Sequence, residues 1–179
     1  MLVRAIQFAA LKHQGQLRRK SNIPYFVHPA EVMQILTAND CDEDTIIAGV
    51  LHDTIEDTDA TYDEIKDIFG EHIASLVSGE SEDKSKSWKV RKQGQIDSLK
   101  NDNTVEHHEI CCADKLSNMR AIYHDLQTIG DEVWTKFKAT KDQVQWYYKS
   151  IIENLVLVKD RKMYKDLCRY YTLVFGEEI

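Results

Sequence analysis

Apolar residues recur three and four positions apart along most of the chain, the spacing that gathers them on one face of a helix. The first such run covers 2–13, with Val3, Ile6, Ala10 and their neighbours on one face. Residues 14–27 break the pattern; they carry Gly15 and Pro24 and read as a loop. Pro29 suits a helix start, where a missing N–H costs nothing, and AEVMQIL continues the helix. EDTIIAGVLHDTI, residues 43–55, forms the next helix. Thr61 is a good N-cap for YDEIKDIFG, Glu64 supplies the capping-box partner, and Gly70 closes the helix. Further helices are predicted at 71–79, 89–99, 104–125, 131–138, 141–158 and 160–175, with the charged stretch 80–88 (ESEDKSKSW) as a loop. No run alternates at the strand period. WYYKSIIENLVLV, 146–158, is too short for a membrane span and is followed by Lys159 and Asp160. The prediction is an all-α protein with one domain over 1–179.

Composition narrows this picture. A chain of 179 residues with 7 glycines and 2 prolines suits one helical domain better than a turn-rich β architecture. A net charge of -7 argues against a general nucleic-acid binder. It leaves a small anionic substrate open, because cations cluster locally. Arg18, Arg19 and Lys20 form one group; Lys84, Lys86, Lys89, Arg91 and Lys92 form another. The second group, in the stretch 80–92, reads either as a cationic lid or as a solvated loop. Cys41, Cys111, Cys112 and Cys168 contain no CxxC pair, so a thiolate zinc site is not expected. Cys111 and Cys112 read as small buried residues. No basic-then-apolar leader opens the sequence, and the expected compartment is the reducing cytoplasm.

The chemistry concentrates in AGVLHDTIEDT, residues 48–58. At about 100° per residue, Ile46, Ile47, Val50, Leu51 and Ile55 share one half of the helical wheel. His52, Asp53 and Glu56 share the other, with Asp57 at the border. Three carboxylates in one small volume repel unless a cation stands among them. Imidazole nitrogen with carboxylate oxygen suits Mn, Fe, Zn or Co, and such a metal turns water into a nucleophile near neutral pH. The plainer alternative is an exposed helix with ordinary acidic residues. Asp114 follows the apolar run Ile110, Cys111, Cys112, Ala113, and Asn118 shares its helix face. Its alternative is a surface pair with Lys115 or Arg120. His28, between Val27 and Pro29, is a further ligand candidate or else a core histidine bonded to backbone. Trp88, Trp134 and Trp146 read as packing residues, and His107, His108 and His124 as exposed.

Three segments in this order, HQGQLRRKSNIPYFVHP, AGVLHDTIEDT and CADKLSNMR, resemble the hydrolase domain of the RelA/SpoT proteins. The likeness is closer to the stand-alone small alarmone hydrolases, the Mesh1-like HD proteins, and runs from about residue 2 to 158. The resemblance implies one Mn2+ held by His28, His52, Asp53 and Asp114, with Glu56 and Asp57 orienting or activating the attacking water. It implies that Arg19 and Lys20 contact base and phosphates and that Asn118 lies at the nucleotide; Lys115 and Arg91 are further phosphate candidates. The implied reaction removes the 3′-pyrophosphate of ppGpp or pppGpp, giving GDP or GTP. The implied partner is therefore a guanine nucleotide, not a nucleic acid or a membrane. Three positions depart from the pattern. The extra arginine in LRRK leaves open whether Arg18 or Arg19 faces substrate. Ser117 stands where many long relatives carry His, and Cys111 where relatives often carry Lys. Two other readings remain: an HD phosphohydrolase for another nucleotide, such as a nucleoside monophosphate or NADPH, or a regulatory module without catalysis. The intact Glu56–Asp57 pair speaks against the last.

Overall fold

The longest apolar-faced run becomes the axle of the molecule. In the computed structural model, which describes residues 1–79 and 86–179, helix α8 spans Val105–Ile129. Helices α2 (Val27–Thr37), α3 (Glu43–Leu51) and α10 (Lys162–Phe175) pack against it. Helix α1 (Leu2–Lys12) and α6 (Glu71–Ser78) close over α3. Between them run the single turn α4 (Thr54–Asp57) and α5 (Tyr62–Phe69). Helix α7 (Trp88–Asn101) pairs with α9 (Lys141–Asn154). Short 3₁₀ segments, Gly130–Lys136 and Val156–Val158, turn the chain between helices. Among the described residues no strand occurs, only an isolated bridge between Leu17 and Pro24. The all-α prediction holds around one core that includes Leu36, Ile47, Leu51, Leu116, Met119 and Ile151. No described helix is long and apolar enough to cross a membrane.

Helix α3 meets α2 at Gly49. A Cβ placed there would lie 2.3 Å from Leu36 Cδ1 and 3.3 Å from Val32 Cγ1, so only glycine permits this approach. The helix predicted over 43–55 does not run through. It ends at Leu51 and resumes at Thr54, with Asp53 at φ -92°, ψ -3°. The cause is local. His52 Nδ1 lies 2.8 Å from the Gly49 carbonyl, and Thr54 Oγ1 donates to the Leu51 carbonyl at 2.6 Å. Side chains thus take acceptors that helical N–H groups would otherwise claim.

Other boundaries shift for similar reasons. The helix predicted over 131–138 is instead a 3₁₀ segment, Gly130–Lys136, and the helix predicted over 141–158 stops at Asn154, where Leu155 adopts ψ 52°. Helix α1 buries Ala5 and Ala9, with Leu2, Ile6 and Phe8 against the core, while Val3 faces out. The Thr61 hydroxyl accepts from Glu64 N–H at 3.2 Å, but the Glu64 carboxylate turns to Lys12 at 2.9 Å. The reciprocal capping box forms at Thr140 and Gln143 instead.

His124 is exposed and His107 half-buried, but His108 is fully buried, because packed neighbours enclose this end of α8. Residues 80–85 of the predicted loop, with Lys84, lie outside the described residues, and 88–92 belong to α7. The three tryptophans pack against the core edge, Trp88 on Trp146 and Trp134 on Phe175.

Candidate metal centre

Three separate stretches of chain deliver four ligand-type side chains to one point. His28 comes from the first turn of α2, His52 and Asp53 from the break between α3 and α4, and Asp114 from α8. His28 Nε2 lies 3.1 Å from Asp114 Oδ1 and 3.5 Å from Asp53 Oδ2. His52 Nε2 lies 3.1 Å from Asp53 Oδ2 and 3.8 Å from Asp114 Oδ1. His28, His52 and Asp114 are buried and each offers an atom within 4.8 Å of the others.

Hydrogen bonds on the far side of each ring fix which nitrogen faces the centre. His52 Nδ1 meets a carbonyl, which only accepts, so Nδ1 carries a hydrogen and Nε2 is the nitrogen turned to the centre. His52 Nε2 is buried and faces the carboxylates of Asp53 and Asp114. A cation among them would satisfy the nitrogen and relieve the repulsion between the carboxylates. Two imidazole nitrogens and two carboxylate oxygens form a donor set suited to a first-row divalent metal. The electrostatics agree. Burial alone would lower the His52 imidazole, but Asp53 and Asp114 outweigh it and lift it to about 10. Burial would raise Asp53, yet His52 and His28 hold it below the carboxylate range. At Asp114 burial is likewise outweighed, chiefly by the Lys115 charge, and its carboxyl is held well below the usual range.

Residues that the sequence did not single out steady this centre. The Tyr25 hydroxyl donates to Asp53 Oδ2 at 2.6 Å and lies 3.4 Å from Asp57 Oδ2. Burial and the Asp53 charge push that phenol far up, so it stays a donor. The His13 ring lies 4.9 Å from the Tyr25 ring, and His13 Nδ1 is 2.8 Å from Gln16 Oε1. Gln16 Nε2 donates to the Asp57 carbonyl at 2.7 Å, tying the 14–27 loop to α4. The only sequence signal was the position of Tyr25, three before His28. Glu56 is half-buried and Asp57 exposed on α4, the turn that follows Asp53.

A cleft of about 390 Å³ opens beside the centre, within the range of small-ligand sites. Arg18, Arg19, Lys92, Lys115 and Asn118 line it, with Tyr25, Tyr147 and Tyr148 among its aromatic walls. Arg18 joins the centre through Asn118. Its Nη2 donates to Asn118 Oδ1 at 3.1 Å, and Asn118 Nδ2 donates to Asp114 Oδ1 at 2.6 Å. Arg19 donates to the Lys136 carbonyl at 3.4 Å. Lys20, at φ 51°, donates to the Thr135 carbonyl at 2.7 Å and does not line the cleft. From α7 the cleft takes Trp88 and Lys92, not Arg91. Lys115 is itself buried and bonded to Asp114, 5.7 Å from the Tyr147 ring centre. Asp114 is therefore no surface residue, and Arg120 pairs elsewhere, with Glu31 at 3.3 Å.

Comparison with known proteins bears on this arrangement. The family model described as HD domain matches residues 5–145. Guanosine-3′,5′-bis(diphosphate) 3′-pyrophosphohydrolase MESH1 of Drosophila melanogaster is 35% identical over 153 residues, 84% of this chain and 82% of that protein. Among solved structures, a metazoan ortholog of SpoT that hydrolyzes ppGpp superposes with a TM-score of 0.79 at 30% identity, over 95% of this chain and 93% of that one. The protein lmo0812 of Listeria monocytogenes EGD-e superposes with a TM-score of 0.77 at 31% identity, over 84% and 99%.

Proposed function

This chain belongs to the HD-domain family, and on that premise we propose that it removes the 3′-pyrophosphate from ppGpp or pppGpp, releasing GDP or GTP. The observation that carries this reading is a pair of buried imidazole nitrogens facing two carboxylates beside a cation-lined cleft. In this reading His28, His52, Asp53 and Asp114 hold one divalent cation, Mn2+. When bound, such an ion lowers the pKa of water and neutralises charge on a phosphoryl oxygen.

The chain's own groups supply the rest. The oxygen of water bonds to the 3′-linked phosphorus as the bond from that phosphorus to O3′ breaks. Glu56 or Asp57 receives the proton of the attacking water and passes it on to O3′, which leaves as a hydroxyl. Tyr25 holds Asp53 in one orientation through its 2.6 Å hydrogen bond. Arg18, Lys115 and Lys92 face the phosphates from inside the cleft, with Arg91 a further candidate for phosphate contact from α7. Arg19, Lys20 and Asn118 complete the nucleotide contacts, Lys20 from the rim. Fixed cations of this kind favour the more highly charged transition state over the bound substrate. The four cysteines are free, as a reducing cytoplasm keeps them.

The test is release of pyrophosphate from ppGpp by purified protein with Mn2+, and its loss on chelation. Absence of pyrophosphate under saturating Mn2+ sinks the assignment. Turnover of NADPH or a nucleoside monophosphate in its place would move the substrate and leave the centre standing.

A further inference from the structure

Behind the centre, on the side away from the cleft, lies a chain of side chains that the proposed chemistry does not use. His28 Nδ1 is 2.9 Å from Ser117 Oγ, a buried contact between α2 and α8. Ser117 Oγ donates to Glu31 Oε2 at 2.8 Å. The other carboxylate oxygen of Glu31 accepts from Arg120 Nη1 at 3.3 Å, and Arg120 Nη2 lies 3.9 Å from Asp166. Ser117 is 1% exposed, so its hydroxyl is turned to these two partners and not to bulk water.

We infer that Ser117 and Glu31 are positioning residues that fix the tautomer of His28 and thereby set the metal affinity of the centre. The inference rests on the metal-binding reading above. A serine hydroxyl has one hydrogen, and an ionised carboxylate can only accept. Glu31 therefore takes the Ser117 hydrogen. That leaves Ser117 Oγ with lone pairs toward His28, so Nδ1 must carry the ring hydrogen. Nε2 is then bare, 3.1 Å from Asp114 Oδ1, and aimed at the centre. His52 reaches the same state by another route, through the backbone carbonyl of Gly49. One histidine is thus set by main chain, which no substitution removes, and the other by two side chains.

Glu31→Gln separates this idea from plain packing. The change keeps size and shape. Arg120, which only donates, retains the amide oxygen and leaves the amide nitrogen facing Ser117. That nitrogen only donates, so Ser117 Oγ accepts from it. The Ser117 hydrogen is then free to turn to His28 Nδ1, which moves the ring hydrogen to Nε2 and blocks the ligand position. Glu31→Ala truncates further but leaves the Ser117 hydroxyl free to adopt either orientation. Disturbing such an outer partner typically lowers metal affinity roughly 10–100-fold.

The experiment titrates Mn2+ into metal-stripped wild type, Glu31→Gln and Glu31→Ala by calorimetry, with thermal melts to establish folding. The expected result is wild-type binding, a Kd raised at least tenfold in Glu31→Gln, and a smaller rise in Glu31→Ala. A purely structural role predicts the reverse order, because the larger truncation would then do more damage. Wild-type binding with Glu31→Gln within twofold of it, or with Glu31→Ala the weaker variant, overturns the relay alone. A wild type that binds no Mn2+ overturns the metal reading itself.

Discussion

Replacing Gly49 by alanine should weaken both the fold and the metal centre, although alanine is the better helix former. Two effects oppose each other. Within a helix, Ala is favoured over Gly by about 1 kcal/mol. Against that, the new methyl would stand 2.3 Å from Leu36 Cδ1 and 3.3 Å from Val32 Cγ1. Leu36 ends in a flexible branch, but it is fully buried in the core, so its shift must be shared with packed neighbours. Overpacking of this kind costs about 1–3 kcal/mol. The net expectation is a loss of roughly 1 kcal/mol after the helix gain. For a domain of this size that is about 2–4 °C in Tm. The strain passes to the site because His52 is oriented by the Gly49 carbonyl at 2.8 Å. Calorimetric melts of metal-stripped protein read the first effect, and Mn2+ titration reads the second. Leu36→Ala combined with Gly49→Ala should lose less than the two single losses added, since the truncated side chain makes room for the methyl. A Gly49→Ala protein that melts at or above wild type, with unchanged Mn2+ affinity, refutes the reasoning.

Arg18→Ala should lower kcat/KM for ppGpp about 10–100-fold, the worth of a charge-assisted contact of about 1.5–3 kcal/mol, while Lys20→Ala should cost less. The reverse order, measured under equal Mn2+, would return the catalytic cation to the loop's outer residues. Arg161→Ala should destabilise by about 1–3 kcal/mol, because the Glu109 side chain, 4% exposed, loses its partner; the lower figure than for a fully buried pair reflects Arg161 being 38% exposed. That loss should grow with pH. Burial already raises the Glu109 carboxyl despite Arg161. A raised folded value means the folded state binds the proton better than the unfolded, so stability falls as pH rises through it. Denaturation of Arg161→Ala at pH 5 and pH 8 checks this; an equal loss at both would show Glu109 to be indifferent to its charge.

Some of the site was legible in the sequence and some was not, for identifiable reasons. His52, Asp53 and Asp114 stood out because charged or imidazole groups beside apolar runs are conspicuous, and their helix faces follow from local spacing. The break at His52–Asp53 was not legible. Apolar periodicity continues through Ile55, no Gly or Pro marks the spot, and the interruption comes from side chains bonding to carbonyls. The choice between Arg18 and Arg19 depended on the path of the 14–27 loop, held by Gln16 and Lys20, which no spacing rule encodes. The Ser117–Glu31 contact joins residues 86 positions apart, and nothing in either neighbourhood announces the other. The burial of His108 is not legible either, because helical periodicity assumes one open face, whereas α8 is covered from several sides.

His28 and Ser117 lie 89 positions apart yet touch in the finished molecule. Between them the chain must lay down α3 through α7 before the pocket for an ion exists at all. A nascent chain that has emerged only as far as α6 carries three of the four ligand-type side chains and nothing to close the ring. On the proposed metal-binding reading, ion capture should wait for the docking of α8, and a ribosome-stalled series titrated with Mn2+ would show uptake only once Asp114 has emerged.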